Sequence, residues 1–147
     1  MTDTKRVAGV IVTHGQLAGE LLAAAEMIVG PISHIAAVSI GWHDDVDLAR
    51  EEIGRAIERV RAKVGTPDHP GGVVVLADMF GGTPANLGVT FLDTNKVELI
   101  TGLNLAMLMK LARPLKDTDL LTLAREIRDQ GRNAIWVASD LIRGEKQ

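Results

Sequence analysis

Two hydrophobic rhythms alternate along the chain. Short, largely apolar runs fall at 7–13, 35–40, 72–77 and 97–101, the first of them unbroken up to Thr13. Runs of that length, rich in β-branched residues, read as strands buried on both faces. Between them, apolar residues recur at helical spacing. Leu17, Leu21, Leu22, Ala25 and Ile28 share one face, and Gly30-Pro31 stops that helix. Ala49, Ile53, Ala56, Ile57, Val60 and Val64 share another, with Asp44, Asp45 and Asp47 supplying negative charge near its start. Gly65-Thr66-Pro67-Asp68-His69-Pro70-Gly71 is a loop by its breakers. Thr83-Pro84 opens a helix expected to end near Asp93. Asn104 caps a further helix with Leu105, Leu108, Met109 and Ala112 on one face, interrupted at Arg113-Pro114. Thr118 to Gly131 is the last helix, and Ala134 to Ala138 the final strand.

Strands alternating with helices predict βαβ units, hence an α/β fold: a doubly wound, mostly parallel sheet flanked by helices. The 147 residues suit a single domain, 1–147, and no repeat or long linker divides them. In a flavodoxin-like strand order 2-1-3-4, the first and third strands are neighbours, and ligands bind outside the carboxyl ends of such strands. Those two strands end at His14 and Asp78. Adjacent strands lie about 5 Å apart, close enough for a His14–Asp78 hydrogen bond if this order holds.

That pairing gives the histidine a function. A neutral imidazole can attack phosphorus through one nitrogen, while an acceptor on the other fixes the tautomer and stabilises positive charge on the ring. Asp78 is the candidate acceptor, since a carboxylate directly after Val73-Val74-Val75-Leu76-Ala77 is costly to bury unpaired. The turn that follows, Gly81-Gly82-Thr83-Pro84, has two compatible readings. Thr83 as N-cap and Pro84 as first helical residue would start a helix. Exposed N–H groups there, with the Thr83 hydroxyl, could also hold phosphate oxygens. Phe80 either packs downward or is an exposed contact for a partner protein. His43 is either an exposed loop residue or part of a metal site with His14, Asp44 and Asp78. His34 and His69 sit beside breakers and read as surface residues.

Composition narrows the alternatives. The net charge is −3, and no basic stripe or aromatic platform suggests nucleic-acid binding. Cysteine is absent, which excludes disulfides and thiol catalysis. No phosphate loop of the G-x-x-x-x-G-K-[ST] type, no G-x-G-x-x-G fingerprint and no G-x-S-x-G elbow occurs. No cofactor is therefore expected. The start of the chain has no signal-peptide profile and no apolar run approaches the ~20 residues of a membrane span. A cytoplasmic protein without direct membrane insertion is expected.

Thr13-His14-Gly15 after the first strand, Asp78-Met79-Phe80-Gly81-Gly82-Thr83-Pro84-Ala85-Asn86 after the third, and Thr101-Gly102-Leu103-Asn104-Leu105-Ala106-Met107-Leu108 after the fourth together resemble the EIIA domain of the mannose-type phosphotransferase system. The resemblance covers nearly the whole chain. It implies a phosphocarrier that accepts a phosphoryl group from the carrier protein HPr on His14 and passes it to a histidine of EIIB for sugar uptake. It gives Asp78 the role of partner to the active imidazole, with Nε2 carrying the phosphoryl group. Gly81, Gly82 and Thr83 would bind phosphate, Thr83 standing where the family often has serine. Phe80 stands where the family often has tryptophan and would face a partner. The family's homodimers exchange their last strand, here antiparallel residues 134–138. The chain stops at Gln147 without an EIIB domain, so EIIB is expected as a separate protein. Two other readings stay open: a phosphorylation-state regulator of the dihydroxyacetone-kinase type, and a metal-dependent hydrolase using His14, His43 and Asp78.

Overall fold

A computed structural model describes residues 4–41, 44–116 and 118–144. Four parallel strands form the sheet: β2 (Ala8–His14), β3 (Ile35–Ile40), β4 (Val73–Ala77) and β5 (Val97–Thr101). Their order across the sheet is β3-β2-β4-β5, the expected 2-1-3-4 arrangement. In register, Val12 pairs with Val38 on one side and Ala77 on the other, so β2 and β4 end side by side.

Alternation along the strands divides the core into two layers. Val7, Ile11, Val74, Leu76 and Ile100 pack beneath α1 (Leu17–Val29), α4 (Leu105–Leu111) and α5 (Leu120–Asn133). Val10, Val12, Val38, Val73 and Val75 pack beneath α2 (Val46–Arg61) and α3 (Thr83–Val89), chiefly against Ile53, Ile57, Val60 and Leu87. With helices on both faces, the central strands β2 and β4 need apolar side chains on both, while the outer strands β3 and β5 are partly exposed and carry Ser39 and Glu98.

Local side chains set where the helices begin and end. Asp45 caps α2, accepting from the Asp47 and Leu48 amides at 2.8 and 3.2 Å. Asn104 caps α4 as expected, accepting from the Met107 amide at 3.2 Å while its amide donates to the Gly131 carbonyl at 3.0 Å. Helix α3 ends at Val89, short of Asp93. The Thr90 hydroxyl takes the Leu87 carbonyl at 2.6 Å, and Asp93 turns away to bridge Val97.

Two features differ from expectation. A small antiparallel sheet joins β1 (Thr4–Lys5) to β6 (Leu115–Lys116), where the breakers Arg113-Pro114 had suggested only an interruption. The expected final strand, 134–138, is not a strand within this chain. Residues 134–137 pair with no strand among the described residues, and Ala138 instead begins a short helix, α6 (Ala138–Ile142). A strand requires a neighbouring edge. Among the described residues the segment lies against no edge, and Ile135 remains 69% exposed.

Candidate functional site

The site sits at the carboxyl ends of β2 and β4. β2 remains buried through Thr13 and then emerges at His14. Gly15 follows with φ of +57°, a backbone conformation that suits glycine, and its N–H donates to the Ile40 carbonyl at 2.9 Å. His14 is thus held at a turn between sheet and helix.

Asp78, the first residue beyond β4, reaches across to it. One carboxylate oxygen, Oδ2, lies 2.8 Å from His14 Nδ1 and accepts from the His14 backbone N–H at 3.1 Å. The other, Oδ1, accepts from the Met79 amide at 3.0 Å. A carboxylate on Nδ1 selects the tautomer with the proton there, leaving the Nε2 lone pair free. The His14 side chain is 51% exposed and that of Asp78 15%. Partial burial pushes the Asp78 carboxyl up. The hydrogen bonds from the His14 ring and backbone, with the charge of the ring when protonated, outweigh this and hold it below the ordinary carboxylate value.

The glycine turn closes against the ring. A Cβ on Gly82 would stand 2.8 Å from His14 Cε1 and 3.1 Å from Nε2, so only glycine lets the backbone approach this closely. Gly81, with φ of +91°, provides the reversal before it. Gly82, not Thr83, is the N-cap of α3; Thr83 and Pro84 are its first two helical residues. No side chain caps this end, in contrast to α2 and α4. Thr83 lines a crevice of about 300 Å³ with His14, Gly15, Ile40, Asp44 and Val46. His14, Asp78, Gly82 and Thr83 therefore gather as expected.

Phe80 does not pack downward: it is 81% exposed, beside exposed Met79. His34 corrects the surface reading. It is 3% exposed, its Nε2 lying 3.1 Å from the Leu111 carbonyl and its Nδ1 3.4 Å from Arg6 Nη1. His69 is exposed, as expected. His43, the remaining ligand of the conjectured metal site, lies outside the described residues. Among the described residues no three histidine or carboxylate side chains converge as a metal site needs. Two links at the site were not anticipated: the His14 amide bond to Asp78, for which the sequence carries no signal, and the Thr13 hydroxyl, which accepts from the Ala18 amide at 2.7 Å. A threonine five residues before a helical amide was the available clue to the second.

Residues 8–127 match the EIIA-man family model, described as the PTS system fructose IIA component. The chain belongs to this family. Membership makes the chain a IIA component of the phosphotransferase system by family. The PTS system mannose-specific EIIAB component of Escherichia coli K12 is 33% identical over 134 residues, which cover 88% of this chain and 39% of that protein. The chain thus spans about two-fifths of the length of the curated relatives it matches. Among solved structures, the mannose/sorbose specific IIA subunit of Enterococcus faecalis is 26% identical. It superposes with a TM-score of 0.73, covering 90% of this chain and 94% of that one. The PTS IIA protein associated with the fucose utilization operon of Streptococcus pneumoniae has a TM-score of 0.77 over 97% of this chain and 99% of its own. At 22% identity it speaks for the fold alone. Among the described residues of this IIA chain, no helix is long and apolar enough to cross a membrane.

Proposed function

We propose that the chain is a phosphohistidine carrier whose acceptor atom is His14 Nε2. The observation that carries this reading is the Nδ1–Asp78 contact at 2.8 Å on a half-exposed imidazole, in a chain of the IIA family. The neutral ring attacks the phosphorus of a donor phosphohistidine on HPr. A new N–P bond forms at Nε2, the N–P bond of the donor breaks, and its electron pair returns to the donor ring. The proton on Nδ1 stays in place. The product ring therefore carries positive charge, which the Asp78 carboxylate offsets. The reverse sequence, with a histidine of EIIB as acceptor, unloads the group.

Transfer between two imidazoles makes and breaks bonds of the same kind, so alignment and charge stabilisation carry most of the burden. Gly82 approaches Nε2 and Thr83 shares the crevice with His14; with the uncapped first turn of α3 they would receive the phosphoryl oxygens, Gly81 reversing the chain before them. Phe80 and Met79, exposed in the turn that follows Asp78, would meet the partner proteins. A shallow crevice suits a group that two different proteins must reach.

The working unit in this reading is a homodimer that exchanges residues 134–138. Helix α5 begins at the amino end of the sheet, where the Leu120 amide donates to Asn95, and finishes at the carboxyl end beside Asn104. A strand leaving α5 along the sheet would thus run antiparallel to the others. A groove of about 290 Å³ lies between β5 and α5, lined by Leu99, Ile100, Leu121 and Ala124 together with the polar Glu98, Thr101, Arg125 and Arg128. Ile135 and Val137 remain exposed in the single chain. A monomeric mass in solution at micromolar concentration would contradict this part.

The carrier reading is tested by incubating the chain with radiolabelled phosphoenolpyruvate, enzyme I and HPr. Acid-labile, base-stable label that disappears in His14→Ala is expected, and equal labelling of that variant sinks the reading. Onward transfer is followed by adding EIIB.

A further inference from the structure

We propose that Thr13 is a positioning residue for the His14 imidazole, an inference that rests on the carrier reading above. Its hydroxyl joins the active-site turn to α1. Along β2, odd and even residues face opposite layers, so Thr13 and His14 leave the strand in opposite directions. His14 projects into the crevice. Thr13 is fully buried on the other face, where its Oγ1 accepts from the Ala18 N–H at 2.7 Å.

Three bonds then hold three consecutive residues to three different elements. Thr13 is tied through Oγ1 to α1, His14 through its amide to Asp78 after β4, and Gly15 through its amide to the end of β3. The middle bond matters for chemistry. The same Asp78 oxygen that accepts the His14 amide also faces ring Nδ1, so the angle at which the ring meets the carboxylate depends on where the backbone of residue 14 stands. α1 pulls directly on that backbone through only Gly15 and Gln16. Gln16, at the N-cap position, makes no side-chain cap bond and so does not replace the Thr13 hydroxyl. Ala18 is itself fully buried, so water is a poor substitute partner for its amide.

The test compares Thr13→Val, which keeps the branched shape and removes the hydroxyl, with Thr13→Ser, which keeps the hydroxyl. Transfer from phospho-HPr is expected to slow about tenfold in Thr13→Val at saturating donor, with the donor concentration for half-maximal rate unchanged. Thr13→Ser is expected to stay within about twofold of wild type. A second readout needs no activity: the Nδ1–H proton resonance of His14 in nitrogen-15 NMR. It should be sharp in the wild type and Thr13→Ser, and broadened or lost in Thr13→Val. Thr13→Ala takes the place of Thr13→Val if circular dichroism shows the latter unfolded. A folded hydroxyl-free variant that keeps both the sharp ring resonance and the wild-type rate makes Thr13 a helix cap only and overturns the proposal. Absence of labelling in the wild type would instead strike the carrier reading, while the ring resonance still decides whether Thr13 orients the imidazole.

Discussion

Asp78→Asn isolates the charge behind the imidazole. The amide is nearly isosteric with the carboxylate, and its oxygen can still accept from the His14 amide and ring, so the tautomer should survive; its NH2 group would then face the Met79 N–H, which loses its acceptor at an exposed turn where water can replace it. What disappears at the imidazole is the negative charge 2.8 Å from Nδ1. A hydrogen bond to a charged group contributes about 1.5–3 kcal/mol, roughly twice a neutral one. Because His14 is 51% exposed, solvent screens part of this. The loss should therefore sit near the lower end, about 1.5 kcal/mol, which corresponds to roughly a tenfold slower transfer. The cost should fall on the phosphorylated ring, where the positive charge develops, more than on the resting ring. The assay is single-turnover transfer from phospho-HPr at saturating donor, with thermal unfolding measured in parallel. A folded Asp78→Asn that transfers within twofold of wild type would refute the reasoning and leave Asp78 a structural bond only.

Gly82→Ala should fold, since residue 82 has an ordinary extended backbone, but its methyl would collide with His14 Cε1 and crowd Nε2. Label from phospho-HPr is expected to fall by about a hundredfold; normal labelling would mean that Nε2 is not the acceptor or that the turn moves freely. Phe80→Ala should raise the donor concentration for half-maximal transfer about fivefold without changing stability, since exposed aromatics are frequent anchors at interfaces. An unchanged half-maximal concentration would remove Phe80 from the docking surface. His34 supplies a pH dependence. Burial lowers its pKa from 6.5, the bond to Leu111 opposes this, and the nearby Arg6 charge lowers it further. Folded His34 therefore stays neutral where the unfolded chain takes up a proton, and its contribution is present above the unfolded pKa and lost as pH falls below it. Tm measured from about pH 7.5 to about pH 5.5 should fall less in His34→Gln than in wild type. Parallel curves would show that His34 does not titrate on unfolding.

Much of the architecture was legible because its determinants are local. Short, largely apolar runs mark strands covered on both faces, and the helical period of Ala49, Ile53, Ala56, Ile57 and Val60 marks the buried face of α2; the face read for α1 was only partly right, since Leu17 and Ile28 are exposed and Ala18 is buried beside Ala25. Breakers such as Gly30-Pro31 and the Asn104 cap stand next to the ends they create. The placement of His14 and Asp78 at neighbouring strand ends then follows from the parallel order. Helix α3 was read too long because the side chain of Thr90 satisfies a carbonyl that a helix would otherwise have used.

The chain by itself determined which segments become strands and helices and which polar residues stand at the strand ends, since those depend on contiguous residues. Only the tertiary structure decided the rest, because the deciding contacts join residues far apart in the chain. His34 was placed on the surface by its neighbours, yet it is buried by the Leu111 carbonyl 77 residues away. The sharing of one Asp78 oxygen between the amide and ring of His14 spans 64 residues and depends on the relative height of two strands, to which no local pattern responds. Phe80 could not be assigned to core or solvent until the packing around it was in place. Residues 134–137 have strand propensity, yet they pair with no strand among the described residues, because a strand forms only where another edge receives it.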